Sequence, residues 1–316
     1  MKKLTIILTV LFMAASSGLM AQNLNSAGKS YNKGIELSKE GDVLGAIKAY
    51  EKCASICAEL GEVGEGLKMN AETQICNLYM NMGVEKFKAK DYDSALIHFT
   101  ASDQYAKLID DGSTTIKLNG YYAATYTGKG NELYKSTKFA KSIEQYNKAL
   151  EYNPEYDNAH YGLVLAYSKM DDSGMLEESV KNVMAYSTDD NLKAKANIAA
   201  SKYFLRSCGK ALEEENYKIA TMMANQSISY NQDDPAAFYY LALASNAQQD
   251  WGNAQKAALK AISFEEEDKA NYYFELGRAY QGAGDTEKAC EAFANVTKGP
   301  NKDGAQYQRS VVLKCN

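Results

Sequence analysis

The chain has 316 residues, 35 basic against 40 acidic side chains, and a net charge of −5. No basic run or basic face stands out, which argues against nucleic acid and against docking on an anionic bilayer. Only two histidines argue against a His/Cys metal site, and three prolines beside 24 tyrosines favour long helices packed through aromatic side chains.

The first 21 residues read as a signal peptide. Lys2 and Lys3 precede an apolar run, Leu4 to Ala15, and small residues lead to a cut after Ala21. The run is shorter than the roughly 20 residues a bilayer span needs. Removal of Lys2 and Lys3 takes the net charge from −5 to −7. No cysteine stands at the cut, the first being Cys53, so a lipid anchor is not indicated. An exported protein, periplasmic or outer-membrane-associated, is the expectation.

Seven degenerate copies of one phrase follow. The first, about 27–60, has Gly34 and Leu37, then Ala46-x3-Tyr50. The second, about 76–109, has Tyr79-x2-Met82-Gly83 and Ala95-x3-Phe99. The third, about 123–156, reads Tyr126-x2-Lys129-Gly130, then Ser142-x3-Tyr146 and Pro154. The fourth opens at Asp157 with His160-x2-Leu163-x3-Tyr167, and its second helix is read with a short insertion near Asp171–Gly174. The fifth, about 201–234, keeps Phe204 and Ala220-x3-Ala224. The sixth, about 235–268, has Phe238-x2-Leu241-Ala242 and Ala254-x3-Ala258. The last is the clearest: Tyr273-x2-Leu276-Gly277-x2-Tyr280, then Ala289-x3-Phe293.

The glycines of the first three copies are 49 and 47 residues apart (34 to 83, 83 to 130), so extra chain is expected as longer helices with loops at Gly61–Gly66 and Gly112–Asn119. Asn191–Ala200 reads as a shorter extension and Gln306–Lys314 as a closing helix. Turns such as Gly41-Asp42, Lys90-Asp91 and Gly284-Asp285 place an aspartate where it caps the next helix. Small residues at paired places, Gly34 with Ala46, Gly83 with Ala95 and Gly277 with Ala289, are expected to let helices approach. The large residues that follow should fill the layer between pairs. The organisation is therefore 1–21 leader, 22–200 irregular repeats with extended helices, and 201–316 regular repeats with a cap.

This spacing, turn and cap resemble the tetratricopeptide repeat, a 34-residue helix–turn–helix unit, over most of residues 27–300. The resemblance implies an all-α fold, a right-handed superhelical α-solenoid of about seven such units with a C-terminal capping helix. In relatives the first helix of each unit lines a groove. Carried over, that face holds Tyr31, Ile35, Met80, Val84, Phe87, Asn131 and Tyr134, then Tyr161, Leu165, Tyr239, Leu243, Phe274 and Arg278. Tyr31 and Ile35 stand where some relatives carry the Lys and Asn that clamp a terminal carboxylate, so that mode is disfavoured. The implied role is a non-enzymatic scaffold that takes a peptide or amphipathic helix of a partner protein. The alternative is a carrier sequestering a small apolar ligand or glycan.

No enzyme chemistry is expected, nor any cofactor or metal. There is no phosphate loop and no H-E-x-x-H motif. His98 reads as a surface histidine and His160 as a packed one, while acidic runs such as Glu213–Glu215 and Glu265–Glu267 read as solvated. Cys290 and Cys315 would meet if the closing helix folds back, forming a disulfide. A pairing of Cys76 with Cys53 or Cys57 about Gly61–Gly66 stays open, and Cys208 is expected free and buried.

Overall fold

The computed structural model describes residues 2–315, with side chains described from residue 20 onward. Most of the expected leader, residues 1–21, therefore has side chains outside the described residues. The backbone forms fifteen α-helices, and no strand occurs among the described residues. No described helix is long and apolar enough to cross a membrane. The chain divides into two compact units, Met1–Ala159 and His160–Asn316. That division differs from the 200/201 boundary read from the sequence, which marks where the repeats become gapless.

In the first unit three hairpins follow one another: α1 (Lys2–Glu40) with α2 (Val43–Glu59), α3 (Glu65–Lys88) with α4 (Tyr92–Leu108), and α5 (Gly112–Lys135) with α6 (Phe139–Tyr152). Helix α7 (Asp157–Met170) begins three residues before the division. The second unit continues with α8 (Ser173–Tyr186), then α9 (Asp190–Glu213) with α10 (Tyr217–Tyr230) and α11 (Pro235–Ala247) with α12 (Trp251–Phe264). It ends with α13 (Ala270–Gly282), α14 (Thr286–Ala294) and the cap α15 (Lys302–Tyr307), which runs into a π-helical turn over Gln308–Val312.

Two expectations about insertions are corrected. The stretch Gly112–Asn119 is not a loop but the first two turns of α5, capped by Asp111, whose carboxylate accepts the Thr114 N–H. The chain turns earlier, at Asp110, because an Asp in the left-handed region followed by a capping Asp closes one helix and opens the next. The extra residues therefore lengthen α3 and α5 at their N-terminal ends; between α2 and α3 they also make a short 3₁₀ turn at Gly61–Val63. The fourth hairpin, in turn, carries no insertion. Asp171 and Asp172 form an ordinary turn, and Val164, Leu176, Val180 and Val183 fill its core at 0–3 % exposure. Bulky aliphatics there replace the small-plus-aromatic pattern, which is why spacing on alanine misjudged it.

One turn recurs. Gly41, Lys90, Asp110, Thr137, Asp171, Glu215, Gln249 and Gly284 all have φ between 55° and 84°. Each is followed by the residue that caps the next helix. Asp42, Asp91, Asp111, Asp172, Asn216, Asp250 and Asp285 accept the N–H three residues on. Lys138 alone in this set makes no side-chain cap bond.

The packing inside four of the hairpins has a more specific form than small-residue approach. A Cβ built on Gly34, Gly83, Gly130 or Gly277 would lie 2.5–2.6 Å from the ring of Tyr50, Phe99, Tyr146 or Phe293 respectively. The aromatic four residues past the small residue of the second helix is thus seated on the glycine of its own hairpin, and it also meets the next one, as Phe99 does at Tyr121 and Tyr122 of α5. All four rings are at most 2 % exposed. A second ring seat joins consecutive hairpins: Tyr92 lies over Gly128 in the first unit and Trp251 over Gly282 in the second. Bare glycine backbone lets a flat ring come within van der Waals reach of the helix axis, burying most of its surface.

Candidate functional site

Within each unit, successive first helices touch one another: α1 with α3 and α3 with α5, then α9 with α11 and α11 with α13. Comparable contacts do not link α2 to α4, α4 to α6, α10 to α12 or α12 to α14. The first helices therefore lie on the tighter side of each stack, and the second helices splay on the other.

The thirteen residues assigned to the first-helix face are all partly accessible; none is fully buried. In the first unit Tyr31 meets Tyr50 edge-on at 5.3 Å, and Ile35 packs against the same cluster. Met80, Val84 and Phe87 rest on the Phe99 cluster, and Phe87 tilts against Tyr92 at 6.0 Å. Exposed Asn131 accepts a 2.8 Å hydrogen bond from the Tyr146 hydroxyl, while Tyr134 packs at 5.4 Å from Phe139. These side chains thus carry structural contacts on one side and present the other to solvent.

In the second unit Tyr161 rests on the core built from Val164, Leu176 and Phe204, and Leu165 is half-buried. Tyr239 is flanked by Tyr240 at 5.8 Å and Tyr272 at 5.4 Å, and Leu243 is half-buried one turn on. Burial, then the neighbouring Glu275 carboxylate, pushes the Tyr239 phenol upward, so it remains a neutral donor. Phe274 does not belong to an open face. It packs edge-on against Phe293 at 5.6 Å and beneath the cap, where Ala305 shares its cluster. Arg278 reaches back to Glu275 at 3.0 Å.

Sequence reasoning missed the group around that pair. Glu275 is 3 % exposed and also accepts from Asn246 Nδ2 at 2.8 Å, linking α11 to α13. A buried carboxylate needs such partners, and the Asn amide with half-exposed Arg278 supplies them. The cap is held similarly, by Asn301 Nδ2 on Asn271 at 3.0 Å and Gln281 Nε2 on Gln308 at 3.0 Å. The clue in the sequence was the amides on the first helices, Asn246, Asn271 and Gln281.

The cysteines and histidines support no catalytic reading. Cys290 and Cys315 form a disulfide with Cα atoms 5.8 Å apart. Cys53, Cys57, Cys76 and Cys208 are free and buried. Cys76 does not face Cys53 or Cys57 for pairing. It is held inside its own hairpin, donating to the Ser102 carbonyl at 3.3 Å, the same register in which Ser201 meets Ser227. Burial raises the Cys53 thiol to about 12 and Cys208 to about 11, which keeps both protonated and unreactive. His98 is not a surface histidine: it is half-buried beside Tyr79, ring centroids 6.3 Å apart, and lines a hollow with Val43, Leu78 and Met82. His160 is 5 % exposed and stacks on Tyr186. Among the described residues no group of His, Cys, Asp and Glu is placed to hold a metal.

Antiparallel helix pairs repeated in register, four of them locked by an aromatic ring on a glycine, define a helical-repeat protein. A family model described as "TPR repeat" matches residues 130–171, and one described as "Tetratricopeptide repeat" matches residues 270–298. The chain carries tetratricopeptide repeats in these two stretches, and proteins built of such repeats are protein-interaction scaffolds. It is 28% identical over 161 residues to a TPR repeat-containing protein of Methanocaldococcus jannaschii, covering 50% of this chain and 23% of that one. It is 22% identical over 227 residues to the Hsp70-Hsp90 organizing protein of Triticum aestivum, covering 63% of this chain and 38% of that one. The chain thus spans less than half the length of either curated relative. The crystal structure of a tetratricopeptide repeat protein from Parabacteroides merdae aligns over 92% of this chain and 100% of that one, with 17% identity and a TM-score of 0.29.

Proposed function

We propose that the chain is a non-enzymatic adaptor of the bacterial cell envelope, exported through its first 21 residues to the periplasm or outer membrane. It takes a peptide or amphipathic helix of a partner protein on its first-helix face. The observation that carries this reading is the run of half-exposed aromatic and aliphatic side chains, Tyr161, Leu165, Tyr239 and Leu243, on the second unit's first helices. Tyr161 is braced by the core behind it and Tyr239 by Tyr240 and Tyr272, so little side-chain entropy is lost at these two on binding. Two-faced aromatics of this kind are typical binding anchors. The Cys290–Cys315 disulfide fits an oxidising compartment.

Pull-down from the cell envelope with identification of bound proteins tests the reading. Removing one anchor typically costs about 2 kcal/mol, or roughly 30-fold in affinity. The Tyr161→Ala/Tyr239→Ala variant should therefore lose its partner while keeping its helicity. Capture undiminished in that variant would reject the first-helix face. Recovery of uncut chain from the cytoplasm, in place of one beginning at Gln22, would reject the envelope role.

A further inference from the structure

The side opposite the first-helix face carries a second feature. Between α10 and α12 lie two hollows of about 260 and 450 Å³ that share Asn225, Phe238 and Lys260 and so form one channel. Its floor is α11, through Phe238 and Leu241, and its walls are the second helices of two consecutive hairpins.

The charge of those walls sets them apart. Helix α10 (YKIATMMANQSISY) and helix α12 (WGNAQKAALKAISF) contain no Asp or Glu and three lysines between them. Every other second helix carries at least two acidic residues: Glu51 and Glu59 in α2, Asp93 and Asp103 in α4, Glu144 and Glu151 in α6, Glu177 and Glu178 in α8, Glu287 and Glu291 in α14. In a chain of net charge −5 these two helices together carry +3. Lys256 and Lys260 line the channel one turn apart on α12, and the Lys260 ammonium stands 5.4 Å from the Phe264 ring centroid. Asp250 and Asp233 stand in the lining of one hollow each. The lining is part apolar, through Ile228, Phe238, Leu241 and Phe264, and Met222 and Leu259 on the two wall helices are 63% and 48% exposed.

We propose that this channel binds an acidic, aliphatic-bearing peptide segment of a partner protein. Lysines at i and i+4 have Cβ atoms about 6 Å apart, a spacing their flexible stems can match to carboxylates one turn apart on a helix or two residues apart on an extended strand. The recessed floor accepts the intervening apolar side chain. A flat bilayer would meet only the helix crests and leave Phe238 and Leu241 unused, so a peptide fits the shape better than a lipid surface. This site is separate from the first-helix face and stands or falls without it.

The test is to pan a displayed library of random 12-residue peptides on the whole oxidised protein. Selected peptides are then measured by fluorescence anisotropy against Lys256→Glu/Lys260→Glu, whose changes sit at exposed positions, and against Tyr161→Ala/Tyr239→Ala. Circular dichroism checks that each variant remains helical. The selected set should be rich in Asp and Glu with interspersed aliphatics, lose at least tenfold affinity in the lysine variant, keep it in the tyrosine variant, and weaken with added salt. No acidic enrichment, or equal binding to the lysine variant, would overturn the proposal. So would sedimentation with phosphatidylserine vesicles in the absence of any selected acidic peptide, which would assign the lysines to a membrane.

Discussion

Alanine at Gly83 and alanine at Gly120 are chemically the same change in the same unit, and the structure predicts opposite signs for them. Gly83 lies inside α3, where a Cβ would sit 2.5 Å from Cδ1 and Cε1 of Phe99. That ring is 0 % exposed and cannot swing away without displacing Tyr121, stacked on it at 5.1 Å, or Tyr122 at 6.1 Å. Gly120 lies inside α5 with nothing within 4 Å of its built Cβ. At Gly120 only the backbone effect operates, so alanine should stabilise by about 1 kcal/mol. At Gly83 the same gain is opposed by an overpacking cost of roughly 1–3 kcal/mol, and displacement of a stacked ring puts it toward the upper end. The net should be about 1–2 kcal/mol destabilising. Thermal unfolding followed at 222 nm should show Gly120→Ala up and Gly83→Ala down, by about 2–4 °C per kcal/mol for a unit of this size. Phe99→Leu should relieve the clash, giving a favourable coupling of about 1 kcal/mol or more with Gly83→Ala in a double-mutant cycle. If Gly83→Ala stabilised as much as Gly120→Ala, or showed no coupling to Phe99, the ring-on-glycine lock would be wrong.

Thr137 holds φ 59°, a region that costs a β-branched residue most, so Thr137→Gly should stabilise the first unit by about 0.5–1 kcal/mol in urea unfolding; a loss would refute the strain. The Cys290–Cys315 bridge closes 25 residues, worth about 3.5 kcal/mol by loop entropy, so Cys315→Ser should speed amide exchange in α15 and leave the first unit alone. Non-reducing mass spectrometry should find neither sulfur as a free thiol. His98 has its pKa lowered, first by burial and then by Lys86, so the unfolded chain binds the proton more readily. Stability of the first unit should therefore fall as pH drops below about 6.5, and His98→Gln should flatten that slope. The caps Asp91, Asp111 and Asp285 have lowered pKa values through hydrogen bonds from Ser94, Thr114 and Lys288, and their contribution should fade only below the ordinary aspartate range, near pH 4.

Hairpins, caps and the closing helix were legible because they rest on local rules. A small residue, an alanine twelve positions on, and an aspartate after a turn are each dictated by backbone geometry within one hairpin. The candidate face was legible only as a set of positions, since a first-helix side chain at helical spacing can serve core or surface equally. Tyr239 and Phe274 occupy equivalent places, yet the cap covers only Phe274. The fourth hairpin was read with an insertion it does not have because Val164, Leu176 and Val180 stand where the other copies carry small residues and a ring.

The linear chain by itself determined that this protein is all helix, repeated, capped by acids and closed at its C-terminal end, because short-range sterics and periodic burial settle those matters residue by residue. Only the tertiary structure decided which ring sits on which glycine, that Gly112–Asn119 is helix, that Cys76 is held by Ser102, and that Lys256 and Lys260 face a channel walled by two helices without acidic residues. Those depend on what a neighbouring helix brings within a few ångströms, and nearness across hairpins has no period to read.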